Sequence, residues 1–389
     1  MEPFPPWPFF AQDERSAVEE VLCSGRVNAW TGDQCRLFEE EFAGAVGRRY
    51  GVALANGTVA LELALLALGI GSGDEVIVPA RTFYATASCV MMRGADPVFV
   101  DVDPESQNIT VETMAQGLSG RTRAVIVVHL AGWPVDMDPI LSLAEENGLK
   151  VIEDCAQAHG ATYKSRPVGS MGHAAAFSFC QDKIMTTGGE GGMLVTDDRE
   201  VWRRAWEYKD HGKSHEAVFQ QDHPPGFRWL HESLGTNLRL TEIQAAIGRC
   251  QLQKLESWVE RRQAHTAALV RCFSSIPALR VPETPGHIRH ANYKFTCFVR
   301  PEHLVPGWDR NRIMQAVMAE GIPCYSGSCP EVYREKVFQN CACRPSRPLK
   351  TARELGGTSL MFLVHPTLTE SDIQDTCLAL RKVVAAASS

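Results

Sequence analysis

Short apolar runs alternate with helix-like segments from about residue 50 onward. The run at residues 124–130 is continuous and rich in β-branched side chains, which suits a strand buried on both faces of a parallel sheet. Repeated alternation of strand and helix predicts a mostly parallel sheet covered by helices. We predict strands at residues 76–79, 98–102, 124–130, 150–153, 174–179 and 192–195, and helices at residues 83–92 and 139–147.

The pattern changes after residue 238. Thr241 and Gln244 form a capping box, which opens a helix predicted to place Ile243, Ile247 and Cys250 on one face. This helix is predicted to lead into a smaller domain, whereas residues 221–231 look irregular because they combine two prolines with mixed polarity. We therefore predict an N-terminal arm (1–30), a large α/β/α domain of three layers (31–256) and a small C-terminal α+β domain (257–389).

Composition and charge narrow the class of protein. The 389 residues are 44% hydrophobic, and the formal net charge of −7 offers no basic surface for nucleic acid. No apolar run reaches the roughly 18 residues of a membrane span, and the N-terminus lacks a basic leader, so we expect neither a membrane partner nor secretion. The 13 cysteines are scattered, with only Cys341 and Cys343 close together, which favours reduced thiols in a cytoplasmic protein and no metal site.

Lys183 is the most informative single residue. It follows a predicted strand and precedes the glycine-rich residues 188–192, where the backbone can turn tightly beside a ligand. A partly desolvated lysine amine can bond covalently to an aldehyde, although most lysines are solvated surface charges. Lys183 is therefore the candidate attachment point for an aldehyde cofactor.

Two further segments suit the phosphate of such a cofactor. Asn56, Gly57 and Thr58 lie between an apolar segment and a helical pattern, and backbone N–H groups at a helix start bind phosphate. The alternative for these residues is a plain helix N-cap without a ligand. Ser178, just before Lys183, can add a hydroxyl donor.

Three residues suit a planar pyridine ring. Asp154 ends a buried apolar strand, where a carboxylate is costly unless a cation such as a protonated pyridine nitrogen pairs with it. Gln157 can donate to a phenolic oxygen on the same ring, and Phe83 can stack on it. The alternatives are an N-cap or loop carboxylate for Asp154 and a core aromatic for Phe83.

Taken together, these motifs resemble the DegT/DnrJ/EryC1/StrS family of pyridoxal-phosphate sugar aminotransferases, of the aspartate-aminotransferase fold type I. The resemblance runs from about Gly25 to the C-terminus. It rests on Asn-Gly-Thr-x-Ala-Leu at 56–61, Glu-Asp-x-Ala-Gln-Ala-His-Gly at 153–160, Phe-Ser-Phe at 177–179, Gly-Glu-Gly-Gly at 189–192 and Gly-x-Asn-x-Arg-x-Thr-Glu-x-Gln-Ala-Ala at 235–246.

The resemblance implies a role for each candidate residue. Lys183 would form the imine with pyridoxal 5′-phosphate and move the proton, and pyridoxamine 5′-phosphate would be the intermediate form of the cofactor. Asp154 would pair with the ring nitrogen. The other cofactor contacts implied are Gln157 to the ring hydroxyl, Phe83 against the ring, and Gly57, Thr58 and Ser178 to the phosphate. Asn237 is similar to a residue that reaches the partner subunit's cofactor, which implies a homodimer with shared sites.

The resemblance also implies transfer of an amino group from an amino acid, with L-glutamate as the expected donor, to a ketone on a nucleotide-linked sugar. Such enzymes supply cell-surface polysaccharides, including lipopolysaccharide O-antigen, and glycosides. His159, Arg239, Tyr325 and Lys209 are candidate substrate contacts or structural residues. The segment 321–329 and the residue Lys209 depart from the family pattern. The identity of the sugar therefore stays undetermined.

Three alternatives to this function remain. A sugar 3-dehydratase of the same family would have histidine in place of Lys183, which argues against it. A cyclitol or aminoshikimate-type aminotransferase or dehydratase is a second alternative. A non-enzymatic regulator that binds pyridoxal phosphate is a third, although such regulators usually carry a basic DNA-binding module that the residues before Gly25 do not provide.

Overall fold

A computed structural model describes residues 4–342 and 344–388 of the chain. Its strands are β1 (Tyr50–Leu54), β2 (Glu75–Pro79), β3 (Asp96–Val100), β4 (Thr122–Val128), β5 (Lys150–Asp154), β6 (Thr162–Tyr163), β7 (Arg166–Pro167), β8 (Ala174–Ser178), β9 (Gly192–Thr196), β10 (Leu279–Arg280), β11 (Ile288–Arg289), β12 (Phe295–Val299), β13 (Cys324–Tyr325) and β14 (Ser359–Phe362). All six predicted strands are present, each within two residues of its predicted ends.

Its helices are α1 (Gln12–Ser24), α2 (Gln34–Ala45), α3 (Gly57–Ala67), α4 (Tyr84–Met92), α5 (Val111–Gln116), α6 (Met137–Glu146), α7 (Arg199–Lys209), α8 (His215–Phe219), α9 (Glu242–Leu252), α10 (Leu255–Phe273), α11 (Arg310–Ala319), α12 (Lys350–Thr358) and α13 (Glu370–Ala387). Between α8 and α9 the chain forms no further helix or strand, in agreement with the irregular segment predicted at 221–231. No helix of the described residues has both the length and the apolarity to cross a membrane.

The large domain is built on a seven-stranded sheet in the order β1-β9-β8-β5-β4-β2-β3. β9 is antiparallel to its two neighbours, and the remaining neighbours are parallel. Helices α3, α4 and α7 pack on one face, while α2, α5, α6 and α9 pack on the other. This confirms the predicted fold class, a three-layer α/β/α domain with a mostly parallel sheet.

The arrangement brings the carboxyl ends of β2, β4, β5 and β8 to one edge of the sheet. Asp154, the last residue of β5, pairs with Val128 of β4 and Ala176 of β8. Ligands of open α/β sheets bind at the carboxyl edge, where loops rather than regular structure follow the strands. Phe83, Asp154 and Ser178 therefore all stand at the end of the sheet that suits a ligand.

The small domain contains an antiparallel sheet in the order β10-β12-β14-β13, packed against α10, α11 and α13. The predicted boundary between residues 256 and 257 falls inside α10. Val259 of that helix packs in the core of the large domain, and Leu269 packs in the core of the small one. Residues of 332–355 also return to the large domain, where Tyr333 and Phe338 join its core. The chain therefore passes between the two cores within α10 and again after the small sheet begins, so one sequence position does not divide the two domains.

Helix α9 begins as predicted, since Thr241 and Gln244 cap it reciprocally. Its predicted face is only partly right: Ile247 is buried, but Ile243 and Cys250 are half-buried, and Ala245, Ala246 and Gly248 are buried instead. The small residues let the helix approach closely, and a Cβ on Gly248 would lie 2.6 Å from the ring of Phe38. Cysteines in the described part of the chain are free thiols, and Cys343 of the predicted close pair lies outside that part.

Candidate active site

Asp154 is a buried carboxylate with few partners. It is 6% exposed; its Oδ2 accepts from the Thr86 hydroxyl at 2.9 Å, and its Oδ1 accepts from the Ala156 N–H at 3.1 Å. Burial raises the pKa of Asp154 above its ordinary 3.8, against the lowering effect of those hydrogen bonds and of the Lys183 charge. A cation beside the carboxylate would therefore stabilise its ionised form.

Glu153, one residue earlier in β5, is surrounded differently. Its carboxylate accepts from the N–H groups of Gly169, Met171 and Gly172 at 2.6–2.8 Å, and it lies 3.1 Å from Nε2 of His129. Burial alone would raise the pKa of Glu153, but these contacts outweigh it and hold the pKa below 4.5. Side chains of consecutive strand residues point to opposite faces, so the two carboxylates do not share a site.

Gly57 and Ser178 form a close contact at the start of α3. A Cβ on Gly57 would lie 2.6 Å from Cβ of Ser178, so only glycine allows the helix start to approach the end of β8. Asn56 caps α3, accepting from the Val59 N–H at 3.0 Å, and Thr58 is exposed in the first turn. The N-cap that sequence offered as an alternative is thus real. It is also compatible with a phosphate site, because the remaining N–H groups of the turn stay available.

Lys183 lies in the loop between β8 and β9, with only 16% of its side chain exposed. Its Nζ is 3.6 Å from Oδ1 of Asp182 and 5.3 Å from the ring centre of Tyr293. The Tyr293 hydroxyl donates to the other Asp182 oxygen. Burial raises the pKa of Asp182, but the charge of Lys183 and the Tyr293 hydroxyl outweigh it and hold the pKa below 3.8.

The N-terminal arm fixes the loop that carries Lys183. The indole N–H of Trp7 donates to the Lys183 carbonyl at 2.8 Å. Trp7 also packs edge-on against Trp258 of α10 and stacks on His365. The lysine is therefore held from the backbone side by an arm that is anchored on the small domain.

Gln157 and Phe83 are both accessible beside this group. The Gln157 side-chain oxygen accepts from the Ala131 N–H at 2.7 Å, which leaves its amide N–H groups as donors. Phe83 precedes α4 and is 64% exposed, so the core alternative for this ring is wrong. An exposed aromatic ring at the carboxyl edge of the sheet is available for stacking on a planar ligand.

His159, predicted as a substrate contact, is enclosed elsewhere. It is 1% exposed, and its ring packs against Phe42, Phe177 and Phe179. Burial lowers the pKa of His159 to about 3, and neither ring nitrogen has a hydrogen-bond partner among the described residues. We therefore withdraw it as a substrate contact, because three phenylalanine rings occupy the space that a substrate would need.

Arg239 and Lys209 are engaged in ion pairs beside β1. Arg239 donates to Asp210 at 2.8 Å, and the Nζ of Lys209 lies 3.8 Å from Glu39. These contacts favour the structural alternative for both residues. Asn237 is exposed and Tyr325, in β13, is 46% exposed, so the predicted partner contact of Asn237 and the substrate contact of Tyr325 stay predictions.

The structure adds three residues to the predicted site: Thr86, Asp182 and Tyr293. Asp182 is adjacent to Lys183 in sequence, so the sequence alone could have indicated that Asp182 lies at the site. Thr86 lies in α4 and Tyr293 precedes β12, so their positions depend on long-range packing. No local pattern in the sequence identifies either one.

Comparison with known proteins decides the family. The profile of the DegT/DnrJ/EryC1/StrS aminotransferase family matches residues 9–381. The chain belongs to this family. An aminotransferase from Psychrobacter cryohalolentis is 52% identical, with a TM-score of 0.97 over 99% of this chain and 100% of that one. The resemblance deduced from the motifs is thereby confirmed, as are the aminotransferase class and pyridoxal phosphate as cofactor.

Two curated relatives act on nucleotide-linked sugars according to their names. A UDP-N-acetyl-3-dehydro-alpha-D-glucosamine 3-aminotransferase from Acidithiobacillus ferrooxidans is 36% identical over 91% of this chain and 89% of its own. A GDP-perosamine synthase from Escherichia coli O157:H7 is 41% identical over 66% of this chain and 67% of its own.

The geometry of this aminotransferase fits the cofactor of its family. Asp154 is a buried carboxylate without a cationic partner in the described chain, as a protonated pyridine nitrogen requires. The absence of a Cβ at Gly57 lets the N-terminus of α3 and the Ser178 side chain lie side by side, where both can donate to a phosphate. These two observations concern the chain itself and are independent of the family match.

Proposed function

We propose that this aminotransferase moves an amino group from L-glutamate to a ketone on a nucleotide-linked sugar, for a cell-surface polysaccharide or a glycoside. The observation that carries the proposal is the cluster at the carboxyl edge of the sheet. It combines a buried, unneutralised Asp154 with a shielded Lys183 amine. The names of the two relatives support a nucleotide-linked sugar as the acceptor.

Each residue of the site has a different chemical role toward the cofactor. When bound, the cofactor supplies an aldehyde that carries the amino group and a protonated ring that accepts an electron pair. Asp154 holds the proton on the ring nitrogen because its ionised form is stabilised only beside a cation. Gln157 would donate to the ring hydroxyl, Phe83 would stack on the ring, and Gly57, Thr58 and Ser178 would hold the phosphate.

Lys183 moves the proton. In its neutral form the Nζ would take a proton from the donor's α-carbon and deliver it to the cofactor carbon that carries the amino nitrogen. For the acceptor, the same nitrogen carries the proton in the opposite direction. Asp182 lies within 3.6 Å of this nitrogen and is itself held by Tyr293, so the amine keeps a fixed position through both halves of the reaction.

The proposal is tested by finding which lysine holds the cofactor. Lys294 is the matched control, because its Nζ lies 4.9 Å from the centre of the same Tyr293 ring and burial lowers its pKa to about 8. Borohydride reduction of the loaded protein should label Lys183, and Lys183→Ala should abolish labelling while Lys294→Ala retains it. A label on Lys294 would contradict the assignment.

The acceptor is tested with a panel of 3-keto and 4-keto sugars linked to UDP, GDP or dTDP, with L-glutamate as donor. We expect amination of at least one of these sugars and none with Lys183→Ala. A keto cyclitol, and a keto sugar from which dehydratases remove a hydroxyl group, are assayed beside this panel. Amination of the cyclitol alone would favour the cyclitol alternative, and loss of a hydroxyl would favour the dehydratase.

We further propose a cytoplasmic homodimer with shared sites. Phe227, Trp229 and Leu234, between α8 and α9, are 77%, 85% and 92% exposed. Large apolar side chains clustered in one exposed segment mark an interaction surface, and the exposed Asn237 directly follows it. A second copy of the chain is the occupant that a shared site requires.

Shared sites are tested by mixing two inactive variants, Lys183→Ala and Asn237→Ala. Random exchange of subunits should restore about a quarter of wild-type turnover, because mixed dimers contain one site with neither substitution. A mixture without activity, formed from dimers that do exchange subunits, would contradict sharing.

A further inference from the structure

Arg81 is a buried guanidinium that is only partly satisfied. It follows β2, two residues before Phe83, and is 1% exposed. Its Nε donates to Gln107 at 2.8 Å, and its Nη2 donates to the Ser359 hydroxyl at 3.0 Å. Nη1 has no hydrogen-bond partner within residues 4–342 and 344–388. A buried polar group without a partner is rare, and it calls for a physical explanation.

The guanidinium lines a cavity of about 110 Å³ where the two domains meet. Gln157, Ala131 and Tyr293 border the same cavity, as do Gly327 and Ser328 of the small domain. Gln157 is the residue proposed to contact the cofactor ring, so this space adjoins the place where a substrate would react. With Nε and Nη2 fixed by Gln107 and Ser359, Nη1 is the nitrogen left for an occupant.

The local charge favours an anion. Burial is the main reason that the pKa of Arg81 is lowered to about 10, with a smaller raising effect of Cys329 and a smaller lowering effect of the Arg310 charge. No carboxylate of the described chain is among its electrostatic neighbours. Arg310 approaches from the other side of Ser359, whose carbonyl accepts from Arg310 at 2.8 Å. Arg310 has the Asp309 carboxylate as an electrostatic neighbour, so Arg81 is the guanidinium whose charge is left without one.

Gly327 of the small domain allows the Arg81 guanidinium to pack closely against that domain. Its φ of +92° favours glycine, and a Cβ at this position would lie 3.0 Å from Nη2 of Arg81. The Ser359 hydroxyl is fixed in turn by its donation to the Ser326 carbonyl at 2.6 Å. The guanidinium is thus oriented from both domains before any ligand arrives.

We propose that Arg81 binds a substrate carboxylate in this cavity and thereby selects substrates that carry one. This inference rests on the proposed function and names a specificity residue for it. A guanidinium nitrogen with unpaired N–H groups donates strongly to a carboxylate oxygen. The carboxylate belongs either to the amino-acid donor or to an acidic sugar, and the chemistry of recognition is the same for both.

The experiment compares matched ligands by calorimetry, in wild type and in Arg81→Gln. The donor arm uses the cofactor-loaded protein with L-glutamate, L-glutamine, which lacks the side-chain carboxylate, and 4-aminobutyrate, which lacks the α-carboxylate. The acceptor arm uses the pyridoxamine form with a nucleotide-linked keto sugar bearing a 6-carboxylate and its 6-hydroxymethyl counterpart. In one of the two arms, Arg81→Gln should weaken binding of the ligand that has the recognised carboxylate by roughly tenfold to a hundredfold. The affinity for the counterpart that lacks this carboxylate should change by no more than about twofold.

Arg310→Gln is the control, because Arg310 contacts Ser359 but does not line the cavity. It should leave all affinities within about twofold. Equal affinities in wild type and Arg81→Gln in both arms would overturn the proposal. Equal losses of affinity for a ligand and for every counterpart that lacks one of its carboxylates would overturn it too. Should Arg81→Gln fail to fold, Arg81→Lys replaces it and should retain part of the preference. Wild type that binds each carboxylate-bearing ligand no better than its counterpart would also overturn the proposal.

Binding also separates this inference from the proposed function. A protein that discriminates carboxylates through Arg81 but aminates no sugar in the panel would contradict the proposed function alone. One that aminates a sugar without such discrimination would contradict the inference alone.

Discussion

Glu153 and Asp154 are adjacent carboxylates at the end of one buried strand, but they face different surroundings. Glu153 accepts three backbone N–H groups and lies beside His129, and Nη2 of Arg48 is 3.7 Å away. Asp154 accepts one hydroxyl and one N–H. Accordingly the pKa of Glu153 is lowered by its contacts, whereas burial raises that of Asp154.

The difference separates a structural carboxylate from a functional one. Glu153 is complete within the chain: His129 accepts the Val135 N–H on Nδ1, so its Nε2 carries the proton that faces Glu153. The contacts of Asp154 within the chain, including the Lys183 charge, do not offset its burial, so its ionised form needs a further cation beside it. Burial alone would not distinguish the two, because both are nearly inaccessible. The distinguishing feature is whether the chain itself supplies the partners.

Replacing each carboxylate with its amide should give the largest effects, and it should distinguish a role in turnover from a role in stability. Asp154→Asn should lower turnover by about a thousandfold, since the ring nitrogen loses its counter-charge. The unfolding free energy of the cofactor-free protein should stay equal or rise by about 1 kcal/mol, because Thr86 can reverse its hydrogen bond and a buried charge is removed. Turnover and denaturant unfolding measure the two effects.

Glu153→Gln should show the opposite behaviour. Its amide nitrogen cannot accept the N–H groups of Gly169 or Gly172, so the unfolding free energy should fall by about 3 kcal/mol. Turnover of the fraction that remains folded should stay within about tenfold of wild type. If instead Asp154→Asn unfolds the protein while Glu153→Gln only lowers turnover, the assignment of the two roles is reversed.

The pH dependence of stability should sharpen the comparison. A raised pKa means that folded, cofactor-free protein holds the Asp154 proton after the unfolded chain has released it. Its contribution to stability therefore falls as pH rises from 3.8 through the folded pKa and is constant above. Glu153, with its lowered pKa, contributes stability that is present above 4.5 and is lost as pH falls through its folded pKa.

Denaturant unfolding of cofactor-free protein between about pH 4 and pH 7 measures this window. The advantage of Asp154→Asn over wild type should grow as pH rises above 3.8 and then level off. In the loaded protein a cationic partner removes that advantage. An advantage that is the same at every pH in the cofactor-free protein would show that Asp154 does not titrate as proposed.

Six strands of the large sheet could be predicted from sequence because buried strands appear as short, continuous apolar runs. Polar residues such as Asp154 and Ser178 mark where two of these strands end. The buried face of α9 could not be predicted by apolar periodicity. That face is set by how closely a small residue such as Gly248 lets Phe38 approach, which is a property of the packed helices.

The site was predictable where its residues belong to local motifs. Lys183, Asp154 and Gly57 each sit in a recognisable strand-end or helix-start pattern. Tyr293 has no such pattern, and Arg81 follows a strand end but contacts Ser359 only because the small domain folds back over the carboxyl edge of the sheet. His159 shows the converse error: it lies in the same motif as Asp154, but its ring turns into a phenylalanine cluster.

The smallest expected effect on function is that of Phe83, which extends the comparison from carboxylates to aromatic rings. Phe177 is buried on the Glu153 face against Phe42, whereas Phe83 is 64% exposed at the carboxyl edge. Phe177→Ala should lower the unfolding free energy by about 3–5 kcal/mol. Phe83→Ala should change that of the cofactor-free protein by less than about 0.5 kcal/mol and weaken cofactor binding by about tenfold, through loss of stacking. Equal destabilisation by both substitutions would make Phe83 a core residue, and unchanged cofactor affinity in Phe83→Ala would remove the stacking role.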